Sequence, residues 1–407
     1  MVALQRLRRV PRAVWALTAL FGATLSLWST FAPLGRSPYE PAHVDLVLHL
    51  ADGGGYPDYD ERFSSAAPLA AGLAYTPGVS DGVTSQWLTP EDAPPRSERR
   101  TFEEWGGATV VESWPNQMPQ HPPLHYVAAA SYLRTVRAVW PGDEMPFDRE
   151  WHLLRLFSVA LITPLPLLAW VASRRLGFND TASLTAAAMP LCVPQLAHIG
   201  ASVNNDNTLV LLSAAAALPV ALIIRGDHRR RTALAAGLLA ALALLTKAFG
   251  LVIVVWVVLA YLVQARRARS WRTSVAPAAV AMGTVAAVSG WWFIRNIARH
   301  GEPNPTLNAF TNAPDGFEPQ PVAYAARFTS SIVHRFWGNF GWYEAPMGRP
   351  VVVLATVLAV TAAVAAFVGL AKVLRRGDEI DRKDLALVAA PFAILVVLVA
   401  GRAYKRY

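Results

Sequence analysis

Four ionisable side chains lie within ten residues of each other just after the first apolar run of this 407-residue chain. In the stretch SPYEPAHVDLVLHLADGGG they are Glu40, His43, Asp45 and His49. A carboxylate that is partly desolvated at a membrane boundary and lies beside a histidine has the properties of a general base. The alternative interpretation is a solvated loop whose polar residues do no chemistry.

Five further short motifs are rich in polar residues, and four of them also contain aromatic residues together with proline or glycine. They are QHPPLHY at 120–126, SVNNDN at 202–207, TKAFG at 246–250, SGWWFIRNIARHGEPNP at 289–305 and FWGNFGWYEAP at 336–346. Their candidate functional residues are His121, Asp206, Lys247, Arg295, Trp337 and Trp342. On the topology argued below, all five motifs face the same side of a membrane as Glu40, which scattered loop polarity does not explain.

The elements that must position these residues are membrane helices. The chain is 54% hydrophobic and 16% charged, and its apolar runs have the length of about 20 residues that a helix needs to cross a bilayer. The predicted spans are 14–34, 152–172, 181–201, 207–224, 232–246, 249–264, 275–294, 350–372 and 385–401. The sequence therefore predicts an all-α polytopic membrane protein with about nine transmembrane helices. An uncleaved first helix fits the N-terminus better than a secretory signal.

The distribution of basic residues predicts the orientation. If the moderately apolar stretch 122–140 does not cross, all five cytoplasmic links are basic, as the positive-inside rule requires. Arg134 and Arg137 would be costly at a bilayer centre. We therefore expect 122–140 to be a helix on the outer membrane surface with its apolar face towards lipid; a kinked span is the alternative.

The charge divides the chain in the same way. Residues 36–150 hold 17 of the 28 acidic residues but only 8 of the 37 basic ones. We expect a cytoplasmic N-terminus and first helix (1–35), a large external loop with surface-lying helices (36–150), helices two to seven (151–294), a second external loop (295–349) and the last helices (350–407). Since the basic residues lie in short links between helices, nucleic acid is excluded as the reason for the net charge of +9.

The ordered motifs resemble the GT-C superfamily over essentially the whole chain. These integral-membrane glycosyltransferases include the protein O-mannosyltransferase and lipid A aminoarabinose transferase types and related bacterial families. The resemblance implies a catalytic acid in the first external loop, a second acidic site after the third span and a sugar donor carried on polyprenyl phosphate. The family's turn usually reads Asp-Glu-Pro-x-His, whereas Tyr39 occupies the first acidic place here. Glu40 is then the expected base, with Asp45 in reserve.

The resemblance also implies roles for the other motifs. Glu40 would deprotonate an acceptor hydroxyl in an inverting transfer, while Arg295 or Lys247 stabilises the departing phosphate. His43, His121 and Asp206 would bind substrate, and Trp337 and Trp342 would line the site. The acceptor would be a cell-envelope polysaccharide, lipid or protein, and the location a bacterial inner membrane with the site external.

Several residues keep a structural alternative. Arg295 could be an interfacial anchor beside two tryptophans, and Asp206 could cap a helix, orient the acceptor or bind a metal. No histidine pair has a convincing zinc spacing, so no metal ligands are assigned, although a divalent metal is possible within the superfamily.

Two other classes of function compete with the enzyme. A transporter or lipid flippase would carry ionisable residues within its spans and some internal pseudo-symmetry, and the sequence shows little of either. A non-catalytic envelope-assembly protein is kept open by Tyr39, which is a poor base at neutral pH.

Overall fold

The computed structural model describes residues 10–74, 95, 98–141, 145–307 and 320–375. Its α-helices are α1 (Arg12–Phe31), α2 (Glu40–Ala51), α3 (Ala66–Ala74), α4 (Leu124–Ala138), α5 (Phe147–Ile162), α6 (Leu165–Leu176), α7 (Asp180–Ala188), α8 (Pro194–Gly200), α9 (Asn205–Ile224), α10 (Arg230–Leu244), α11 (Leu251–Arg267), α12 (Arg272–His300), α13 (Pro321–Trp337) and α14 (Arg349–Arg375). Two antiparallel pairs of short strands accompany them: β1 (Phe63–Ser65) with β2 (Val110–Pro115), and β3 (Asn339–Phe340) with β4 (Ala345–Pro346).

Five segments are long and apolar enough to span a membrane: α1, α5 with α6, α9, Ala248–Arg267 and α12. A sixth exists if α7 and α8, which are bent by 66° at their break, form one span. The chain is thus a helical, multi-pass membrane protein. The expected number of nine is not reached in the described part. There α10 has only 15 residues, and the expected span 385–401 lies outside the described residues.

The helices pack through small residues and matched apolar faces. Phe21 and Leu25 of α1 are buried against Ile162 and Ala197, which joins the first helix to α5 and α8. Gly237 of α10 lies so close to the main chain of Ala281 in α12 that a Cβ would collide with the carbonyl oxygen. Such small residues let the two backbones approach closely, as is common between membrane helices.

The region between α1 and α5 folds around its own core. Helices α2 and α4 pack together, with Val47, Tyr126 and Leu133 completely buried, and Trp151 continues this core into α5. Helix α4, expected on the membrane surface, is too short to span at 15 residues. Its apolar face was expected to lie on lipid, but it is buried against protein, because α2 offers a complementary apolar surface.

Candidate functional site

Glu40 begins α2 and is completely buried. Its two carboxylate oxygens accept hydrogen bonds from Nε and Nη2 of Arg155, each at 2.7 Å. The main-chain N–H groups of Gly35 and Val203 also donate to it, each at 3.1 Å. This is a paired, hydrogen-bonded ion pair of the bidentate type that arginine forms best.

Arg155 also completes the end of the first helix. Its remaining N–H groups donate to the carbonyls of Ser29 (3.1 Å), Ala32 (2.6 Å) and Pro33 (2.8 Å). The last carbonyls of a helix have no partner within it, so a guanidinium here satisfies groups that lipid could not. The Glu40–Arg155 pair therefore ties α1, α2, α5 and the segment before α9 together.

Asp45 is held by a second buried ion pair. Arg62 donates from Nε and Nη2 to its two oxygens, both at 2.8 Å, the main-chain N–H of Ser65 donates at 2.9 Å and the amide of Asn116 at 2.6 Å. The side chain of Asp45 is 1% exposed. A general base must come within hydrogen-bond reach of the proton it abstracts. The catalytic roles of Glu40 and Asp45 remain predictions. Before either carboxylate could take a proton from an acceptor, it would have to separate from its arginine.

Asp206 lies in a different environment. Asn204 caps α9 by accepting the main-chain N–H of Asp206 at 2.9 Å, which fixes the carboxylate in the first turn of the helix. Lys247 donates to Oδ1 of Asp206 at 2.6 Å, and the Asp206 side chain is 43% exposed. Asn204 rather than Asp206 provides the cap, so the capping alternative does not account for this carboxylate.

The TKAFG motif supplies Lys247 at the turn between α10 and α11. The residue is extended, its carbonyl accepts the N–H of Gly250 at 2.8 Å, and its ammonium lies 5.8 Å from the centre of the Phe249 ring. The main-chain N–H of Leu124 donates to the carbonyl of Leu245 at 2.9 Å, which joins the start of α4 to this turn. Three motifs distant in sequence, HPPLHY, NND and TKAFG, thereby come together.

Buried histidines form the wall beside this ion pair. His125 Nδ1 pairs with the Thr208 hydroxyl at 2.8 Å, and His43 Nδ1 with the Tyr126 hydroxyl at 3.0 Å. Burial lowers the pKa of His125 to about 4; Asp206 opposes this shift and Lys247 adds to it. Burial, followed by the neighbouring His125, holds the pKa of His43 well below its usual range. Both imidazoles are neutral at neutral pH.

Tyr56 separates this cluster from a second group of charges. Its hydroxyl donates to the carbonyl of His121 at 2.7 Å, and its ring meets Trp292 edge-on at 5.6 Å. The guanidinium of Arg295 lies over the same Trp292 ring, 5.1 Å from its centre, and is paired with Asp58. His121 also contributes to the lowered pKa of His43, so it lies near the cluster.

The two tryptophans expected to line the site lie in different places. Trp342 packs edge-on against Tyr39 at 5.3 Å and donates to the carbonyl of Gly35 at 2.9 Å. Trp337 donates to the hydroxyl of Thr356 in α14 at 2.9 Å. Trp342 thus covers the turn before α2, while Trp337 anchors α13 to α14.

Tyr39 itself adopts a left-handed backbone conformation with φ 60°. Asp and Asn visit this region more readily than a bulky aromatic residue. The conformation of the turn is therefore one that the acidic residue usual in the resembled family would adopt with less strain.

Some residues of this arrangement were missed in the sequence, and a signal existed for one of them. Arg155 falls inside the predicted span 152–172, and an arginine there is costly unless it has a partner. Asp58 and Tyr56 carried no comparable signal. Within the described residues, no three His, Cys, Asp or Glu side chains are grouped so as to hold a metal ion.

Comparison with known proteins gives two findings. A family model described as dolichyl-phosphate-mannose-protein mannosyltransferase matches residues 147–293, less than half of the chain but a stretch that includes Arg155, Asp206 and Lys247. This match supports the resemblance to GT-C glycosyltransferases. No curated protein matches the chain.

Among solved structures, the S. cerevisiae protein O-mannosyltransferase Pmt1–Pmt2 complex bound to the sugar donor matches with 14% identity and a TM-score of 0.44. The match covers 76% of this chain and 36% of the yeast chain, so this chain spans little more than a third of the length of that neighbour.

Proposed function

We propose that this protein is a GT-C-type membrane glycosyltransferase that moves a sugar from a polyprenyl-phosphate donor to a hydroxyl of a cell-envelope acceptor. The observation that carries the proposal is the partly exposed Asp206 carboxylate, held by Lys247 beside neutral imidazoles at the meeting point of three motifs. The site would face the exterior of an inner membrane, with the N-terminus cytoplasmic.

The roles follow from exposure and charge. Asp206 has a carboxylate that an acceptor can reach, so we assign it the general base in an inverting displacement. The acceptor oxygen attacks the anomeric carbon, its proton passes to the carboxylate, and the polyprenyl phosphate leaves with the bonding electrons. Lys247 and Arg295 supply positive charge for the departing phosphate. Glu40 and Asp45 stabilise the fold around these groups through their buried ion pairs.

The test compares matched carboxamide variants in one assay. Wild type, Asp206→Asn, Glu40→Gln and Asp45→Asn are reconstituted at equal amounts, and transfer of labelled sugar from a panel of polyprenyl-phosphate donors is measured. Asp206→Asn should reduce transfer by about 10²–10⁴-fold, the usual contribution of a positioned base. Its unfolding temperature should stay that of the wild type.

Other outcomes reassign the base or reject the enzyme. Full transfer by Asp206→Asn, with transfer lost in a folded Glu40→Gln, would make Glu40 the base as the sequence predicted. If wild type transfers sugar from no donor, the buried states of Glu40 and Asp45 and the tyrosine at position 39 favour the non-catalytic envelope-assembly protein.

A further inference from the structure

A glycine-rich loop carries Asp58 to the end of α12. After α2 the chain reads GGGYPDYDE, and Gly53 has a φ of 95°, which favours glycine. Gly54 lies directly against the ring of His49, where no Cβ would fit, and the carbonyl of Gly55 pairs with Nε2 of His49 at 3.0 Å. The loop is thus folded tightly at its start and then extends over the end of the long helix.

Asp58 is shared among three basic side chains. Arg295 Nη2 pairs with Oδ1, Arg299 Nη1 lies 3.0 and 3.2 Å from the two carboxylate oxygens, and His300 Nε2 lies 3.8 Å away. Burial alone would raise the pKa of Asp58, but Arg295 and then Arg299 outweigh it and lower the pKa. One carboxylate therefore faces two guanidinium groups.

A small cavity opens beside these cations. Its walls include Tyr59, Gln120, Trp292, Arg295 and His300. Trp292 is 3% exposed, and within the described part of the chain its buried indole N–H has no acceptor. A buried donor without a partner costs free energy, which an acceptor-rich ligand in the cavity would recover.

The cavity adjoins the Asp206 cluster. Tyr56 belongs to the same loop as Asp58, packs against Trp292 and donates to the carbonyl of His121. The ring of Tyr56 would therefore lie between a ligand at Arg295 and Trp292 and the Asp206 cluster.

We propose that Arg295, Arg299, His300 and the Trp292 indole form a phosphate subsite, and that Asp58 occupies it in the free protein and is displaced by the phosphate. The inference rests on the proposed function, since it takes the phosphate to be that of the polyprenyl donor. A phosphate offers several oxygens to two guanidinium groups, whereas Asp58 offers two, so the exchange gains hydrogen bonds. Displacement of Asp58 would also release the loop that carries Tyr56.

The test measures binding, which needs no turnover. Full-length protein in phosphatidylcholine nanodiscs is titrated with sugar-free polyprenyl phosphate, with inorganic phosphate and with phosphatidylglycerol, and the dissociation constant is followed by tryptophan fluorescence. Asp58→Asn should tighten polyprenyl phosphate binding by roughly ten-fold, because a competing negative charge is removed. Arg299→Gln should weaken it by a similar factor. Asp180→Asn, which removes an exposed carboxylate paired with Arg174 outside this cluster, should leave it unchanged.

The outcomes separate this inference from the proposed function. If wild type binds polyprenyl phosphate but Asp58→Asn binds it equally or more weakly, the displacement is wrong and the proposed donor survives. If wild type binds no polyprenyl phosphate, both are wrong. Equal affinity for phosphatidylglycerol or for inorganic phosphate would overturn the assignment to the donor. A drop in the unfolding temperature of Asp58→Asn together with weaker binding would make Asp58 a structural residue.

Discussion

Two ion pairs in this protein both join a carboxylate to a basic side chain but differ in how far they are buried. In Glu40–Arg155 the side chains are 0% and 1% exposed, whereas in Asp206–Lys247 they are 43% and 16% exposed. The first carboxylate accepts hydrogen bonds from an arginine and two main-chain amides, whereas the second accepts one from a lysine.

The difference shows that membership of a polar motif does not by itself fix the surroundings of a carboxylate. Glu40 stands in the motif that resembles a catalytic turn, yet its hydrogen bonds connect four parts of the fold. Buried pairs are sensitive to the loss of one partner, and exposed pairs contribute little to stability. The two pairs should therefore respond differently to mutation, with stability lost in one and activity in the other.

The largest effect is expected for Arg155→Met. Removing the guanidinium leaves Glu40 buried without a counter-charge, which costs about 3–5 kcal/mol in the free energy of unfolding. Denaturant unfolding in detergent measures this loss. The double variant Arg155→Met/Glu40→Leu removes the unpaired charge but should recover only part of the loss, because the main-chain groups that bond to both side chains lose these partners. A single variant as stable as the wild type would contradict the structural role of the pair.

Lys247→Gln should produce the opposite pattern. Sugar transfer should fall by about 10²–10³-fold, the usual cost of losing one electrostatic stabiliser of developing charge. The unfolding free energy should change by less than in Arg155→Met, because the Asp206 side chain is 43% exposed whereas Glu40 is completely buried. Arg36→Gln, which breaks the partly exposed Arg36–Glu344 pair at 3.2 Å, is the matched control and should leave transfer intact. A large loss of stability in Lys247→Gln would place this pair with the buried ones.

The buried His125 should make the folded protein less stable in acid. The pKa of His125 is about 4 in the folded protein against 6.5 for the free side chain, so below pH 6.5 the unfolded chain binds more protons. The unfolding free energy should fall from pH 6.5 to pH 4 by up to about 3 kcal/mol from this residue. His125→Gln should flatten the slope in this window; an unchanged slope would show that His125 is not the group responsible.

The smallest effect concerns Tyr39. Asn adopts the left-handed conformation at lower cost than Tyr, so Tyr39→Asn should raise the unfolding free energy by up to about 1 kcal/mol. Tyr39→Phe keeps both the strain and the ring contact with Trp342 and serves as the control. Destabilisation by Asn would show that the contact with Trp342 outweighs the strain.

Much of the architecture could be predicted because hydropathy and charge act locally. The apolar runs predicted helices at α1, α5, α9, α11 and α12. The structure brings the motifs HPPLHY, NND and TKAFG together, while the side of the membrane that they face stays a prediction. The partners of charged groups could not be predicted in this way. Glu40 and Arg155 are 115 residues apart, and only the packing of α1, α2 and α5 brings them together. The span predicted at 232–246 has the 15-residue length of α10 and is displaced from it by two residues.

Arg155 also has a consequence for biosynthesis. An arginine within an inserting helix is costly unless it is paired, and here every hydrogen-bond acceptor of its guanidinium comes from residues made earlier. Helix α1 and the turn after it leave the ribosome more than a hundred residues before α5 does. All the acceptors that Arg155 needs are therefore already synthesised when α5 emerges from the ribosome.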